Sequence, residues 1–271
     1  MTDRGEAGAT VAVPQITVDD LAVERNFERV RKRVAALPDR VDIAVFPEYA
    51  LTGFVADERV MDAAIVREAA LDRLSSLTED HDIAVVAGYA ERGDDGRGKL
   101  YNATAYVPAS DGAGGDAGDA GDPGDPGDAG DAGDGGPAVY RKRHLWGDER
   151  ELVTPGTERV IVDTPAGSTG LLTCYDLNFV GESAWFTDRA VDALFVPGAW
   201  PAAHAANWRL LLRARALDGV RWVVGAGRTG VAGRGDAGSR GGALDDGDSA
   251  DDGNSADDGS SADDSNSADD G

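Results

Sequence analysis

Two tracts of this chain have almost nothing to bury, and they dictate where a core can form. Residues 111–136 hold eight Asp, no Lys or Arg, and a Gly at every third position from Gly115 to Gly133. Residues 245–271 hold eleven Asp and run through near-copies of Ser-Ala-Asp-Asp-Gly that begin at Ser249, Ser255, Ser261 and Ser267. A repeat with no aliphatic side chain larger than Ala cannot offset the entropy of ordering it. The expected organisation is a flexible N-terminus at 1–9, one domain over 10–230 with a disordered acidic insertion at 111–136, and a disordered Gly/Asp/Ser-rich tail at 231–271.

Inside the domain, short apolar runs alternate with amphipathic stretches. Strands are expected at 10–16, 42–46, 83–88 and 101–107, and a new strand segment begins at Ala138. Further strands are expected at 159–163, 170–173, 193–196 and 221–224. Phe27, Val30, Val34 and Leu37 recur at helical spacing after Thr17 and Asp20, which resemble a capping pair. Helices are also expected at 61–77, with Leu71, Leu74 and Leu77 inward, at 182–189, and at 204–217. Strand alternating with helix predicts a layered α/β domain.

The net charge is −24, and the two tracts hold 19 of those negative charges. No basic footprint for nucleic acid is present, and no run approaches the ~20 apolar residues of a membrane span. One cysteine permits no internal disulfide, so a cytoplasmic setting is expected. Asp in excess over Lys also fits a salt-rich cytoplasm, where repulsion is screened. The Asp pairs lack the ordered calcium-loop pattern with its terminal Glu, so no metal or other cofactor is expected.

Three strand ends carry groups that chemistry can use: Glu48 after Phe46-Pro47, Lys142 in Arg141-Lys-Arg143, and Cys174 after Leu171-Leu-Thr. Taken singly they read as a surface carboxylate, part of a basic run, and a small apolar packing residue. Taken together they form a set. A carboxylate can accept a thiol proton, and an ammonium can stabilise a thiolate and a developing oxyanion. A helix N-terminus beside Cys174 is expected to lower the thiol pKa.

Three separated motifs resemble the nitrilase, or carbon–nitrogen hydrolase, superfamily. They are Val45-Phe-Pro-Glu48-Tyr-Ala-Leu-Thr-Gly-Phe54, Tyr140-Arg-Lys142-Arg-His-Leu-Trp146 and Gly170-Leu-Leu-Thr-Cys174-Tyr-Asp176. Val11-Ala-Val-Pro-Gln15, Val196-Pro-Gly-Ala-Trp200-Pro and Trp208-Arg-Leu-Leu-Leu-Arg-Ala-Arg-Ala216 are similar to its first strand, a later strand and a later helix. The resemblance implies a four-layer α-β-β-α sandwich that forms a homodimer or larger assembly through outer helices. It implies a general base at Glu48, an oxyanion-stabilising Lys142 and a nucleophilic Cys174. The backbone N–H of Tyr175 becomes a second oxyanion donor, and Tyr49 and Trp200 lie beside the substrate. A further family Glu is best matched by Glu149, with Glu151 as the fallback. Cys174-Tyr-Asp176 is similar to amidases of small amides and carbamoyl compounds rather than to nitrile hydrolases, which have Cys-Trp-Glu.

Two departures from the pattern bear on that reading. Asn178 stands where the family has Arg, the following Pro is absent, and Glu182 sits one residue late. Beyond Gly227-Arg-Thr-Gly230, where relatives continue into strands of the second sheet, the sequence turns Gly-rich and then Asp/Ser-rich. The expectation is a sheet without its last strands, with open backbone groups and an open apolar face. Two readings follow: an amidase with a Cys174 thioester, or a non-catalytic or impaired, truncated relative serving as a binding or assembly scaffold.

Overall fold

A computed structural model of the chain describes residues 8–93, 98–110, 129–131 and 135–229. Two five-stranded sheets lie at its centre. The first has the order β1 (Val11–Ala12), β2 (Ile43–Val45), β3 (Ala84–Arg92), β4 (Leu100–Val107) and β6 (Ala138–Arg141). The first three strands are parallel, and β4 runs antiparallel to both β3 and β6. The second has the order β10 (Trp222–Gly227), β9 (Ala193–Gly198), β8 (Gly167–Leu171), β7 (Arg159–Thr164) and β5 (Ala129–Asp131). β8, β9 and β10 are parallel. β5 falls within the acidic insertion and pairs in parallel with β7; the rest of 111–134, and the tail from 230 on, lie outside the described residues.

Alternation along the strands builds the layers. In β2 and the residue after it, Ile43 and Val45 face the second sheet, where they pack with Tyr140 of their own sheet and with Val160, Leu171 and Phe195 of the second. Ala44 and Phe46 face the other way, toward Val30 and Val34 of α1 (Val23–Val34) and Leu74 and Leu77 of α3 (Arg67–His81). The far face of the second sheet meets α5 (Val180–Asp188) and α6 (Ala205–Gly219) through Leu194, Val196, Phe186, Trp208 and Leu212. The period-two pattern thus gives the expected helix–sheet–sheet–helix order. Among the described residues no helix is long and apolar enough to cross a membrane.

Local readings needed two corrections. The helix expected at 61–77 is two helices, α2 (Val60–Ala63) and α3. Between them Ala64 is extended, and Ile65 leaves the helix to exchange backbone hydrogen bonds with Ala90 and Arg92 of β3, at 3.1 and 2.9 Å. Thr17 and Asp20 do not cap α1, which starts after Ala22 with no side-chain cap. Buried Asn26 fixes the approach instead: it accepts from the Asp19 N–H at 2.9 Å and donates to the Asp19 carbonyl at 2.7 Å.

The chain leaves β2, β6, β8 and β9 at their C-terminal ends, and the residues just beyond carry Glu48, Lys142, Cys174 and Ala199. In open α/β sheets such ends are where binding groups converge.

Candidate active site

Glu48 is fixed by the turn that follows β2. Tyr49 adopts a left-handed conformation (φ 56°), and the turn lies tight against β3. A Cβ on Gly88 would stand 2.6 Å from the Tyr49 nitrogen and 2.7 Å from the Glu48 Cα. Only glycine allows that approach.

Cys174 opens a short 3-10 turn (Cys174–Asn178) and also has positive φ, 48°. A left-handed non-glycine residue is strained and persists only where its surroundings over-determine it. Here Asp176, fully buried, supplies the restraint. Its carboxylate accepts from the Thr173 N–H at 2.9 Å, the Tyr140 hydroxyl at 2.7 Å and the His144 N–H at 2.9 Å. The Thr173 and Thr104 hydroxyls bond at 2.9 Å, tying the turn to β4.

The structure brings Glu48, Lys142, Glu149 and Cys174 together, although they come from separate segments. Lys142 Nζ lies 2.8 Å from Glu48 Oε1 and 2.8 Å from Glu149 Oε2. The second Glu48 oxygen accepts from the Ala199 N–H at 2.7 Å. Glu149 also accepts from the Tyr49 hydroxyl at 2.7 Å and the Trp146 N–H at 3.0 Å. The Cys174 thiol lies within electrostatic reach of both Glu48 and Lys142. Of the two glutamates left open by the sequence, Glu149, at the start of α4 (Glu149–Leu152), is buried in the cluster and Glu151 is exposed.

Tyr175 is half-buried in the first turn after Cys174, where backbone N–H groups have no intrahelical acceptor. Trp200 follows Ala199, packs against Trp208 with ring centroids 5.3 Å apart and planes tilted by 36°, and has a buried indole N–H with no partner among the described residues. Tyr49 stands behind the cluster, its hydroxyl committed to Glu149. Asn178 is exposed and bonds to the Tyr175 carbonyl, while Glu182 is buried and pairs with Arg159 at 2.8 Å.

Electrostatics fix the resting protonation. Burial disfavours an ionised Glu48, but the Lys142 charge and the bonds from Lys142, Asn102 and Cys174 outweigh it and hold the carboxyl below its usual range. Burial also opposes the Lys142 ammonium, yet Glu48 and Glu149 hold its pKa well above the ordinary value. The Cys174 thiol is pushed well up, by burial first and then by the Glu48 charge; Lys142 and the Ala199 N–H pull the other way without prevailing. This corrects the expectation of a thiol acidified by a helix N-terminus. The resting set is a carboxylate, an ammonium and a neutral thiol.

Three members of the cluster escaped the sequence reading: Asn102, Asp176 as an anchor, and Tyr140. A signal existed for Asn102, an amide in the middle of the otherwise strand-favouring Leu100-Tyr-Asn-Ala-Thr104. Among the described residues no group of three or more His, Cys, Asp or Glu is arranged to hold a metal ion.

Known proteins resemble this chain in sequence and in fold. A family model described as carbon-nitrogen hydrolase matches residues 10–256. The chain is 22% identical over 227 residues to a protein named probable nitrilase C965.09 from Schizosaccharomyces pombe, covering 82% of this chain and 75% of that one. It is 26% identical over 207 residues to an (R)-stereoselective amidase from a Pseudomonas species, covering 76% of this chain and 65% of that protein. The fold matches a solved structure of a mutant amidase from Nesterenkonia sp. AN1 in complex with acrylamide. That match has a TM-score of 0.67 at 19% identity, over 85% of this chain and 80% of the other.

Proposed function

The chain belongs to the carbon-nitrogen hydrolase family, and on that premise we propose that it hydrolyses a small amide or carbamoyl compound through a thioester on Cys174. The observation that carries this reading is the convergence of Glu48, Lys142 and Cys174 from three distant strand ends, all three buried, with Lys142 bonded to Glu48 and the charges of both acting on Cys174.

In the proposed reaction the Cys174 sulfur attacks the amide carbonyl carbon while Glu48 accepts the thiol proton. The carbonyl oxygen becomes an oxyanion held by the Lys142 ammonium and the Tyr175 N–H. Its collapse breaks the carbon–nitrogen bond, and the leaving ammonia or amine takes the proton from Glu48. Water then attacks the thioester and gives a proton to Glu48. The acid leaves, and Glu48 returns the proton to sulfur. Glu149 keeps Lys142 fixed and charged throughout, while Tyr49, Asn102 and the Trp146 N–H fix Glu149.

We extend the proposal to its setting: a cytoplasmic, salt-adapted homo-oligomer joined through the outer helices. Supporting observations are the net charge of −24 and the exposure of Leu210 and Leu217 on α6, at 67% and 79%. Light scattering across a salt series reads both features.

Ammonia release from a panel of small amides tests the central reading, with Cys174→Ala as control. Release that Cys174→Ala abolishes is expected. A folded protein that releases none across the panel would favour the scaffold reading instead.

A further inference from the structure

The buried cluster contains two carboxylates, Glu48 and Glu149, and only one ammonium, Lys142. Both carboxyl groups therefore share a single cationic partner. Between the two carboxylates stands the amide of Asn102, 1% exposed. Its Nδ2 lies 2.7 Å from Glu48 Oε1 and 2.6 Å from Glu149 Oε1. Its Oδ1 is buried with no partner among the described residues. Leaving an acceptor unpaired destabilises a fold, so the two charge-assisted bonds on the other side must outweigh it. Turning the amide over would press Oδ1 against two carboxylate oxygens. The Asn102 backbone is fixed as well: its carbonyl accepts from the Lys142 N–H at 2.8 Å.

We propose that Asn102 is a positioning residue that keeps Glu48 and Glu149 as two separate acceptors, so that Glu48 faces Cys174 as a free base. Neighbouring carboxylates tend to share a proton unless donors hold their oxygens; Lys142 gives each of these one bond, and Asn102 gives each a second. A proton held between Glu48 and Glu149 would leave Glu48 unable to take the one on sulfur. The two N–H bonds of the Asn102 amide remove the reason to share, without adding charge. This inference rests on the reading of Glu48 as the base.

Alkylation of Cys174 by iodoacetamide tests it without any substrate. In that reaction the sulfur–carbon bond forms, iodide leaves, and the thiol proton passes to Glu48. For the wild type the rate is expected to stay flat down to about pH 5 and to collapse in Glu48→Gln. Asn102→Leu keeps the shape and removes both donors. Its acid limb is expected to move into the pH 5–7 window, by about one unit or more. The value of kcat/KM for ammonia release should fall about tenfold or more, mostly through kcat. Adding Glu149→Gln removes the competing carboxylate, so Asn102→Leu/Glu149→Gln should return the limb toward its wild-type position, which a merely structural defect would not do.

Circular dichroism checks folding. If Asn102→Leu does not fold, Asn102→Ser, with one donor, should show a smaller shift in the same direction. An Asn102 variant with an unmoved limb, or a double variant as displaced as the single one, overturns the proposal while Glu48 stands as base. A wild-type rate that does not depend on Glu48 overturns both.

Discussion

Tyr140 donates its hydroxyl to Asp176 across 2.7 Å, joining the strand that delivers Lys142 to the turn that delivers Cys174. The same carboxylate holds the Thr173 and His144 N–H groups, so the backbone at Cys174 is tied to the strand that leads into Lys142. The relative placement of Cys174 and Lys142 therefore depends on one buried aspartate.

Replacing that aspartate should unlock the turn. Asp176→Ala leaves buried donors on Thr173, Tyr140 and His144 without their acceptor, at a cost of at least ~3 kcal/mol. Tyr140→Phe keeps the volume and removes one donor, costing about 1–3 kcal/mol. Denaturant unfolding should rank wild type, Tyr140→Phe and Asp176→Ala in falling stability, and activity should follow the same order.

Removing the ammonium should damage fold and rate together. Lys142→Met leaves Glu48 and Glu149 buried without a counter-charge, a loss of about 3–5 kcal/mol. Loss of an oxyanion donor lowers kcat by about 10²–10³. Glu151→Gln, at an exposed position, should stay within about 0.5 kcal/mol of the wild type, a contrast that calorimetry of the two variants reads.

Gly88→Ala tests the packing behind Glu48. The added methyl would meet backbone atoms of Pro47, Glu48 and Tyr49 at 2.6–2.9 Å, and the backbone must shift. About 1–3 kcal/mol of stability should be lost, and kcat should fall although no reacting group has been touched. An unchanged kcat would mean that the turn position does not matter.

These residues also show what the sequence could and could not disclose. A layered α/β domain was legible from apolar runs alternating with amphipathic stretches, and the four-layer order came from the resemblance of the motifs around Glu48, Lys142 and Cys174. Glu149 was legible, and preferred to Glu151, only through its motif; the burial that separates the two is not carried by local sequence. The Asn102 bridge and the Asp176 anchor join segments 47 and 36 residues apart, and no local pattern encodes such pairs. The helix expected at 61–77 failed because Ile65 gains more from bridging β3 than from staying helical, a tertiary override of propensity. The thiol was misjudged because motif reading sees a helix start and not the burial and the carboxylate beside it.

Stability should fall at both ends of the pH scale. Cys174 is raised by burial and Glu48, Tyr49 by burial with Glu149 and Glu48, and Tyr140 by burial with Asp176. In each case the folded state binds the proton more tightly than the unfolded chain. Their contribution is complete below the unfolded values, about 8.5 for Cys and about 10 for Tyr, and is lost as pH rises through the folded ones. Lys142, also raised, behaves the same way above about 10.4. Glu48 is lowered, so its contribution is complete above about pH 4.3 and is lost as pH falls through its folded value. Denaturant midpoints should be level from about pH 5 to about 8.5 and decline outside that range. Cys174→Ala should soften the onset of the alkaline decline, and a midpoint that rises from pH 8 to pH 10 would contradict these assignments.

Whether sulfur carries the acyl group is read most directly by peptide mass spectrometry of the enzyme quenched with acid during turnover of a small amide. The peptide containing Cys174 should gain the mass of the substrate's acyl group, and Cys174→Ala should both lack that adduct and release no ammonia. Steady ammonia release with Cys174 never acylated, or release undiminished in Cys174→Ala, would contradict a covalent route through this thiol.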